Sequence, residues 1–512
     1  MTSIANTEKK DNTADVVIIG AGIAGLQCAN HVKKSHTLHK VLVLEARDRI
    51  GGRIYTTKGY GPKTNVIEHG AQFIHGCVNE NPVVQLAIKS GAVKKLKNLR
   101  FIDWDDGYVY KGVGDKRKQF SDKITDKAYE SFVEYLNISC SDKKKFIKSK
   151  NDRNIDMSLG KEFIKVLYER KNNIEDHTCT KEEYKKLIEC TARMEISDDY
   201  GVDLENLSLA YWDQDDEYAY DVDCTFPNQS GGYESLIKYL AKPLSNDIVL
   251  NHVVQHIEFG SGKNTDSDDN NSNVSNDTNH VKVTCTNGAV FHCKKLVCTI
   301  PLGYLKKHHK ELFKYVPNMP AEINDAIHYL KMGNLEKVFL RFKRPFWKID
   351  TDTFFNYSGN PFRIFMNINR MNGNNNSKKT DGYVLMCFVS GSYAKSLMSS
   401  MSRREITLLA LSSLREIFGP KQVPLDEEKA LSLLLENNEA PSSLVTRWCC
   451  DPYTLGCYSH MPINALPKDY HAFEKAYFNN TLHFAGEHTI AKYAGSVHGA
   501  LLSGIRAAKS EM

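Results

Sequence analysis

The chain has no hydrophobic run that could cross a membrane, since none approaches the ~18 apolar residues that a spanning helix needs. Its N-terminal segment, MTSIANTEKKDNTAD, lacks the apolar stretch of a secretory signal, and its last residues are not the peroxisomal Ser-Lys-Leu address. An excess of charge of one sign is also missing, because 67 basic residues stand against 62 acidic ones. We therefore expect a protein that binds neither a membrane nor nucleic acid.

Cysteine motifs are missing as well. The 13 cysteines are scattered over the 512 residues, and the adjacent Cys449 and Cys450 form neither a CxxC redox pair nor a zinc-binding pair. In the absence of a secretory signal, this pattern predicts reduced thiols, a cytoplasmic location and no metal site. Hydrophobic residues make up 41% of the chain and charged residues 25%, which excludes a wholly disordered protein.

The pattern of apolar runs predicts a mixed α/β protein. The run DVVIIG ends at Gly20, a helical pattern covers residues 23–34, and a second apolar run, KVLVLEA, ends at Ala46. A strand, a glycine-rich turn, a helix and a second strand within ~30 residues form a βαβ unit. This unit predicts a Rossmann-like parallel sheet that begins near the N-terminus.

The rest of the chain alternates between helical and strand-like stretches. Residues 82–220 are charged and predicted to be mainly helical, and another helix is predicted at residues 401–418. Strands are predicted in three later stretches, residues 248–258, 280–301 and 336–392. The low-complexity residues 260–280 are predicted to form a solvated loop without a function.

Three glycines, Gly20, Gly22 and Gly25, stand between the first predicted strand and helix. The spacing GxGxxG allows a tight turn and lets backbone N–H groups approach a pyrophosphate at the N-terminus of a helix. Glu45 lies at the end of the next strand, 20 residues after Gly25, where a carboxylate can accept hydrogen bonds from ribose hydroxyls. These residues predict a dinucleotide site, and a glycine-rich turn without a ligand is the alternative.

The segment LEARDRIGGR, at residues 44–53, resembles the second signature of the flavin amine oxidase family. The resemblance extends over nearly the whole chain, through EHGAQFIHG, EKVFL, RPFW, FAGEHT and AGSVHGA. It implies FAD as the cofactor and an α/β fold with two domains, a discontinuous Rossmann-like FAD-binding domain and an α+β substrate-binding domain with a mixed sheet and inserted helices. The implied FAD-binding domain comprises residues 12–85, 225–312 and 440–512, and the substrate-binding domain comprises residues 86–224 and 313–439.

The same resemblance implies a set of cofactor-binding residues. They are Gly20, Gly22, Ile23, Ala24, Gly25, Glu45, Ala46, Arg47, Gly52, Arg53, Gly70, Ala71, Val254, Trp448, Glu487, Ser496 and Val497. Arg53 would approach the diphosphate, Glu487 the ribitol and Trp448 the flavin ring. The backbone of Val254 would meet adenine, and backbone N–H groups of Ser496 and Val497 would meet the pyrimidine edge of the flavin. For Arg47, an ordinary solvated charge is the favoured interpretation.

Two residues are the implied catalytic groups. Lys337, in EKVFL, matches the family's lysine that holds a water against flavin N5, and a surface lysine is the alternative. A cation or its bound water at that place can assist proton movement and reoxidation of the flavin. His75 matches the histidine that lies near the substrate amine in the polyamine oxidase branch, and a structural histidine is the alternative.

Cys457 bears on which amine oxidase this chain resembles. It matches the cysteine that bonds covalently to the flavin in monoamine oxidases. Those enzymes also carry a second cage tyrosine, and Ser496 stands at its position here, so Tyr458 would flank the flavin as a single wall. Both Tyr458 and Ser496 are implied to contact the substrate. We therefore expect FAD to be bound without a covalent bond.

The expected substrate is a polyamine. Asn206 and Ser208 align with a segment that separates spermine oxidases from acetylpolyamine oxidases, and they predict a polar substrate tunnel. The acidic residues 213–223 are interpreted either as a mouth that attracts a polycation or as a solvated loop.

The resemblance implies oxidation of spermine or its N1-acetylated form at a secondary amine, with oxygen as the acceptor. The products would be a shorter polyamine, an aminoaldehyde and hydrogen peroxide. Three alternatives stay open at this point: a monoamine oxidase-like enzyme with covalent FAD, a histone demethylase, and a flavin-binding protein without catalysis.

Overall fold

The computed structural model describes most of the chain. The described residues are 12–35, 39–58, 66–102, 107–111, 118–143, 147, 153, 156–170, 179–214, 222–259, 281–314, 316, 319–373, 382–435 and 441–510. Within these ranges, no helix combines the length and the apolar character that crossing a bilayer requires. The predicted loop at residues 260–280 lies outside the described residues.

The strands are numbered in chain order. The first ten are β1 (Thr13–Ile19), β2 (Val41–Leu44), β3 (Thr56–Lys58), β4 (Val66–Glu68), β5 (Arg100–Phe101), β6 (Gly107–Lys111), β7 (Lys118–Gln119), β8 (Cys224–Thr225), β9 (Ile248–Val249) and β10 (Val254–Phe259). The others are β11 (Val281–Cys285), β12 (Val290–Cys298), β13 (Lys331–Met332), β14 (Leu335–Phe342), β15 (Thr353–Asn356), β16 (Ile364–Asn367), β17 (Tyr383–Ser390), β18 (Ser443–Val445), β19 (Ser459–His460) and β20 (Leu482–Phe484).

The α-helices are numbered in the same way. From the N-terminus they are α1 (Ile23–Ser35), α2 (Pro82–Lys89), α3 (Asp122–Ser139), α4 (Leu159–Glu169), α5 (Lys181–Ala192), α6 (Asp198–Tyr200), α7 (Glu234–Ala241) and α8 (Leu302–Leu312). They continue as α9 (Ala321–Tyr329), α10 (Ile368–Met371), α11 (Gly391–Ser400), α12 (Arg403–Phe418), α13 (Glu427–Leu431), α14 (Pro467–Ala472) and α15 (Val497–Lys509).

The first sheet is built around the predicted βαβ unit. β1 lies between β12 and β2 and runs parallel to both, with β9 beside β2 and β20 beside β12. Val16 and Ile18 of β1 pack with α1 and α15 on one face, whereas Val17 and Ile19 pack with α8 and α9 on the other. Both faces of β1 are therefore buried, which explains why its sequence is a continuous apolar run. The predicted α/β class is confirmed.

The second sheet has the order β18-β14-β17-β16-β15-β6-β7 and is mostly antiparallel. Along β14 the side chains alternate between its two faces. Val338 and Leu340 belong to the core that also holds Ile406, Ala410 and other residues of α12. On the opposite face, Lys337 lines the large cavity described below.

Two segments lie outside the domain that the sequence predicts for them. β18 pairs with β14 in the second sheet, although residues 440–512 were assigned to the FAD-binding domain. α9 packs through Ile323 and Ile327 against the core of the first sheet, although residues 313–439 were assigned to the other domain. Strand pairing of β18 and apolar packing of α9 with residues far along the chain decide where these two short elements lie. The domain boundaries stay predictions.

A disulfide joins Cys77 to Cys224, which lie 147 positions apart. The expectation that all cysteines are reduced thiols is therefore wrong for this pair. The pair could not be identified from its spacing, because the two cysteines meet only through the tertiary fold.

Candidate active site

A cavity of about 1630 Å³ lies between the two sheets and is lined by residues of both. Drug-sized ligands occupy pockets of roughly 300–1,000 Å³, so this cavity can hold more than one such group. The carboxyl ends of β1 and β2 contribute to its lining, and so does α3. Parallel sheets bind their ligands at the carboxyl ends of the strands, which identifies the part of the cavity beside β1 and β2 as its cofactor end.

The three glycines of the predicted motif have different roles. Gly20 has φ +107°, which disfavours any residue with a side chain. A Cβ on Gly25 would lie 2.0 Å from the carbonyl oxygen of Gly20, so this glycine lets helix α1 pack closely on the turn. A Cβ on Gly22 would meet no atom within 4 Å, and this glycine faces the cavity. Gly22 therefore leaves room for a ligand group to approach the backbone.

Glu45 is fixed at the end of β2 by two backbone hydrogen bonds. Its Oε2 accepts from the N–H of Ala21 at 2.7 Å, and its Oε1 accepts from the N–H of Arg47 at 3.0 Å. Burial raises the pKa of this carboxyl, and the two amides oppose that change. The carboxylate is thus held rigidly beside the glycine turn, where it can accept bonds from ribose hydroxyls.

Arg47 and Arg53 are both paired with carboxylates near the C-terminus. Arg47 forms two bonds to Asp451, of 2.6 and 3.0 Å, and its side chain is only 13% exposed. The interpretation of Arg47 as a solvated charge is therefore wrong. Arg53 donates to Oε1 of Glu487 at 2.7 Å. Both arginines line the cavity and bring fixed positive charge to its cofactor end.

Glu487 is bound by the protein itself. Besides Arg53, its carboxylate accepts from the N–H and hydroxyl of Ser459, at 3.1 and 2.7 Å, and from the N–H of Gly495 at 3.0 Å. Burial acts to raise the pKa of Glu487, but Arg53 and these donors outweigh it and the pKa is lowered. Its bond to the ribitol stays a prediction.

The N-terminus of α15 lies at the cavity wall, and its first turn is capped. The hydroxyl of Ser496 accepts from the N–H of Gly499 at 3.0 Å, and Ser496, Val497 and Ala500 line the wall. Backbone N–H groups at such a terminus stabilise negative charge nearby. A flavin gains negative charge at its pyrimidine edge on reduction, and this end of the cavity favours that charge.

Lys337 is only 4% exposed. Its Nζ donates to the carbonyl oxygens of Glu68 and Gly70, at 2.9 and 2.7 Å, and to Oε1 of Gln72 at 2.7 Å. Burial lowers its pKa, and the nearby Glu68 carboxyl opposes this. The three bonds use all the N–H donors of a protonated lysine. The water predicted beside Nζ would have to replace one of these acceptors or donate to the neutral amine, and that role stays a prediction.

His75 lines the same cavity, and its side chain is 39% exposed. Its Nδ1 lies 3.1 Å from Oδ1 of Asp223. Burial acts to lower the pKa of His75, but the hydrogen bond and charge of Asp223 raise it to about 8. The pairing shows that this histidine carries a proton at neutral pH more readily than an ordinary one.

Aromatic residues form much of the remaining wall. Nε1 of Trp448 donates to the carbonyl oxygen of His69 at 2.8 Å, and the hydroxyl of Tyr458 donates to the carbonyl oxygen of Asp199 at 2.6 Å. These bonds fix the orientation of both rings. Cys457 also lines the cavity, and burial raises the pKa of its thiol, which disfavours the reactive thiolate.

Most of the predicted site residues meet in this one cavity. Those that line it are Gly20, Gly22, Ile23, Ala24, Glu45, Ala46, Arg47, Gly52, Arg53, Gly70, Ala71, His75, Val254, Lys337, Trp448, Tyr458, Glu487, Ser496 and Val497. Gly25 lies behind the turn and contributes packing instead of a ligand contact.

Asn206 and Ser208 are absent from the described lining of the cavity. Ser208 is fully buried, its backbone N–H donates to Met461 and its hydroxyl accepts from the N–H of Tyr211. The carbonyl oxygen of Asn206 accepts from the N–H of Ile463. This segment pairs with residues 461–463, and the placement of Asn206 and Ser208 in the substrate tunnel stays a prediction.

Several residues of the site were not found by sequence reasoning. Gln72 binds the Lys337 ammonium, Asp451 holds Arg47, and Asp223 holds His75. Gln72 and Asp451 stand inside motifs that resemble the family, and Asp223 ends the acidic run, but nothing local assigns their partners. No group of His, Cys, Asp and Glu among the described residues could hold a metal ion.

The donor set fits FAD. The space over Gly22 admits a pyrophosphate, the Glu45 carboxylate suits a ribose, and paired arginines and a helix N-terminus favour negative charge. The volume leaves room for a second, smaller molecule beside the cofactor.

Comparisons with known proteins agree on the family. A family model described as flavin containing amine oxidoreductase matches residues 23–510. Lysine-specific histone demethylase 1 homolog 1 of Arabidopsis thaliana is 29% identical over 507 residues, which are 96% of this chain and 51% of that protein. Probable polyamine oxidase 4 of Arabidopsis thaliana is 27% identical over 521 residues, which are 99% of this chain and 89% of that protein. The chain spans about half the length of the demethylase homologue.

Solved structures share the fold. Wild-type putrescine oxidase bound to putrescine aligns with a TM-score of 0.65 and 18% identity, over 98% of this chain and 99% of that one. Its A394C variant aligns with a TM-score of 0.66 and the same identity of 18%.

The glycine turn makes a prediction with an internal control. Gly22→Ala places a methyl group where the cofactor would approach, so we expect flavin retention in dialysis to fall ~10-fold or more while the melting temperature of the flavin-free protein stays unchanged. Gly25→Ala should instead destabilise the fold by about 1–3 kcal/mol, because its Cβ overlaps the Gly20 carbonyl. Equal melting temperatures for both variants would contradict these roles.

Asn206 makes a second prediction. Because it lies away from the cavity lining, Asn206→Leu should leave the ratio of kcat/KM for spermine and N1-acetylspermine within ~2-fold of the wild-type value. Phe388→Ala is the positive control, because Phe388 lies at the cavity wall. This change should alter the ratio or the kcat/KM values of both substrates. A clear change of the ratio in Asn206→Leu would support the tunnel placement.

Proposed function

The chain belongs to the flavin containing amine oxidoreductase family, and we propose that within it the protein is a polyamine oxidase. The cofactor of this FAD-dependent oxidoreductase is FAD, which is typically bound in the family without a covalent bond. The observation that carries the proposal is one cavity whose lining combines the flavin cradle, His75 and the carboxylates of α3. Names of relatives support it, since polyamine oxidases are among them.

The charge of the lining suits a polycation. Asp122, Asp126 and Glu130 lie at positions i, i+4 and i+8 of α3, on one face of the helix, and all three border the cavity. The arginines of the lining are each paired with a carboxylate: Arg47 with Asp451, Arg53 with Glu487 and Arg100 with Asp352. The negative charge of the α3 carboxylates would attract protonated amines.

Other parts of the lining suit an aliphatic chain. Phe355, Met366 and Phe388 come from three strands of the second sheet, and Phe73 packs edge-on against Phe388 with ring centroids 6.3 Å apart. Methylene groups of a polyamine gain from contact with such apolar and aromatic surface. A lining that combines carboxylates and apolar walls therefore matches a long amine better than a small polar one.

The residues around the reacting amine have separable roles. FAD, when bound, supplies the hydride acceptor for carbon–nitrogen oxidation. The amine must be neutral to react, because its nitrogen lone pair forms the iminium as hydride leaves. His75 lines the cavity and has a ring nitrogen that can take the proton of that amine. Lys337 holds residues 68–72 against β14 and so fixes the wall that carries His75.

The proposed products are a shorter polyamine, an aminoaldehyde and hydrogen peroxide, with oxygen as the final acceptor. A cytoplasmic location stays a prediction, and the Cys77–Cys224 disulfide opposes it because disulfides are rare in that compartment. Oxidation of N-methyl-lysine in a protein tail is the second candidate, favoured by the likeness to demethylase homologues over 96% of this chain.

A substrate panel tests the proposal. Peroxide release would be measured with spermine, spermidine, their N1-acetylated forms, putrescine, a simple aromatic monoamine and a peptide that carries N-methyl-lysine. We expect spermine or N1-acetylspermine to give the highest kcat/KM, at least ~10-fold above the monoamine, because the carboxylates of α3 in the lining attract a polycation more strongly than a single charge. A preference for the monoamine or the methylated peptide would overturn it.

The same protein without oxygen tests whether it is a catalyst at all. Spermine should bleach the absorption of the oxidised flavin in an anaerobic cuvette. A flavin that stays oxidised with every amine of the panel would identify a binding protein without catalysis.

Lys337→Met tests the buried cation. The change leaves three oxygen acceptors of residues 68–72 without their donor, so we expect flavin turnover to slow by at least ~10-fold, about 1.4 kcal/mol of barrier, while FAD stays bound. Lys343→Met is the matched control, because Lys343 is exposed and its Nζ donates to the carbonyl oxygen of Ser432, away from the cavity lining. Wild-type turnover in Lys337→Met would contradict any role of this ammonium.

A further inference from the structure

We propose that Asp223 is a positioning residue that orients His75 to remove the proton of the substrate amine. The inference rests on the proposed function, since it names a further residue of that same reaction. Asp223 lies in the acidic stretch of the sequence, where its neighbours suggest only general attraction of cations. The structure separates it from them, because its Oδ1 lies 3.1 Å from Nδ1 of His75.

The two backbone segments that carry His75 and Asp223 are bonded to each other on both sides of these residues. Ile74 and Cys224 exchange two backbone hydrogen bonds, of 2.8 and 3.2 Å. The N–H of Cys77 donates to the carbonyl of Val222 at 2.8 Å, and the disulfide joins Cys77 to Cys224. His75 and Asp223 therefore lie in two short segments, residues 74–77 and 222–224, that backbone hydrogen bonds and the disulfide hold together.

A second anchor holds His75 independently of Asp223. The side-chain amide of Asn81, which caps α2, donates to the carbonyl oxygens of His75 and Gly76 at 2.8 and 3.0 Å. Loss of the Asp223 charge would therefore leave the His75 backbone in place. A change at Asp223 can then be interpreted through the imidazole and not through a displaced loop.

The hydrogen bond to Asp223 determines which ring nitrogen of His75 can accept the substrate proton. A carboxylate oxygen only accepts hydrogen bonds, so Nδ1 carries the proton toward Asp223. Nε2 lies on the far side of the ring, and in the neutral imidazole it is the nitrogen with the lone pair. The proton of the substrate ammonium passes to Nε2, which gives a neutral amine and an imidazolium, and no other bond changes in this step.

The electrostatics favour that transfer. The titratable groups that act on His75 come from three elements: Asp223 before β8, Asp199 in α6 and His498 in α15. The two carboxylates raise the pKa of His75 to about 8, and burial lowers the pKa of His498 to about 4, which leaves that neighbour neutral. Amines like those of a polyamine have pKa values near ~10, so the rise from 6.5 brings acceptor and donor closer.

The kinetic experiment compares wild type with Asp223→Asn, which keeps the shape of the side chain and removes its charge. The rate of anaerobic flavin reduction by saturating spermine is followed from pH 6 to 10. We expect flavin reduction in the variant to be ~10-fold slower at pH 8 and its rising limb to move to lower pH by about one unit, because the lost charge no longer raises the pKa of His75. Asp223→Glu should restore part of the rate.

Two comparisons separate positioning from a structural role. In a His75→Gln background, Asp223→Asn should cause no further loss of rate, because its effect passes through the imidazole. Asp247→Asn is the matched control, since Asp247 is a partly exposed carboxylate paired with Lys33 away from the cavity lining. A further loss in the His75→Gln background, or an unshifted pH profile, would overturn the proposal.

A measurement that needs no turnover distinguishes failure of the His75–Asp223 pairing from failure of the proposed function. The folded-state pKa of His75 is raised from 6.5 to about 8, so the pair stabilises the protein below pH 6.5 and loses this effect as pH rises through 8. The melting temperature of the holoenzyme should therefore fall in Asp223→Asn at pH 6 and be equal to wild type at pH 9.5. Failure of this test overturns the pairing, whereas a confirmed pairing without oxidation of any amine overturns the proposed function and with it the role of Asp223.

Discussion

A buried ammonium group joins the two halves of the cavity wall. Lys337 extends from β14 of the second sheet, and all of its donors bind one stretch, residues 68–72, that follows β4. A cation with 4% exposure is tolerated only because each of its N–H groups has an acceptor. Gly70 within that stretch has no room for a side chain, since a Cβ would lie 1.8 Å from the carbonyl oxygen of Arg53. The lysine therefore fixes the path of the chain from Arg53 toward His75.

The charges of the site connect the first and last parts of the chain. Asp451 is 404 positions from Arg47, and Glu487 is 434 positions from Arg53. Because each arginine is matched by a carboxylate, the cofactor end gains donors without an excess of positive charge that would repel a protonated substrate. The carboxylates of α3 also border the cavity, so its electrostatic field should attract a cation.

Local patterns allowed the glycine turn, β1, α1 and Glu45 to be predicted, because a tight turn, a buried strand and a strand-end carboxylate each follow from neighbouring residues. Lys337 and His75 were identified only through resemblance, and neither hydrogen-bond partner could be read from the sequence. Cys77 and Cys224 lie 147 positions apart, so no spacing rule pairs them. The segment of Asn206 and Ser208 pairs with residues 461–463, a contact that alignment of a short motif does not reveal.

The pairing of His75 with Asp223 also reduces the repulsion between a protonated His75 and a cationic substrate. A cationic imidazole in a cavity meant for polycations would repel the substrate, but the carboxylate at 3.1 Å makes the protonated pair neutral overall. When the proton leaves, the pair carries one negative charge and attracts the amine. Proton acceptance and attraction of the cation thus increase together as pH rises. An isolated histidine would gain the first property without the second, since its neutral form carries no charge, and this is a physical reason for an acid to stand beside it.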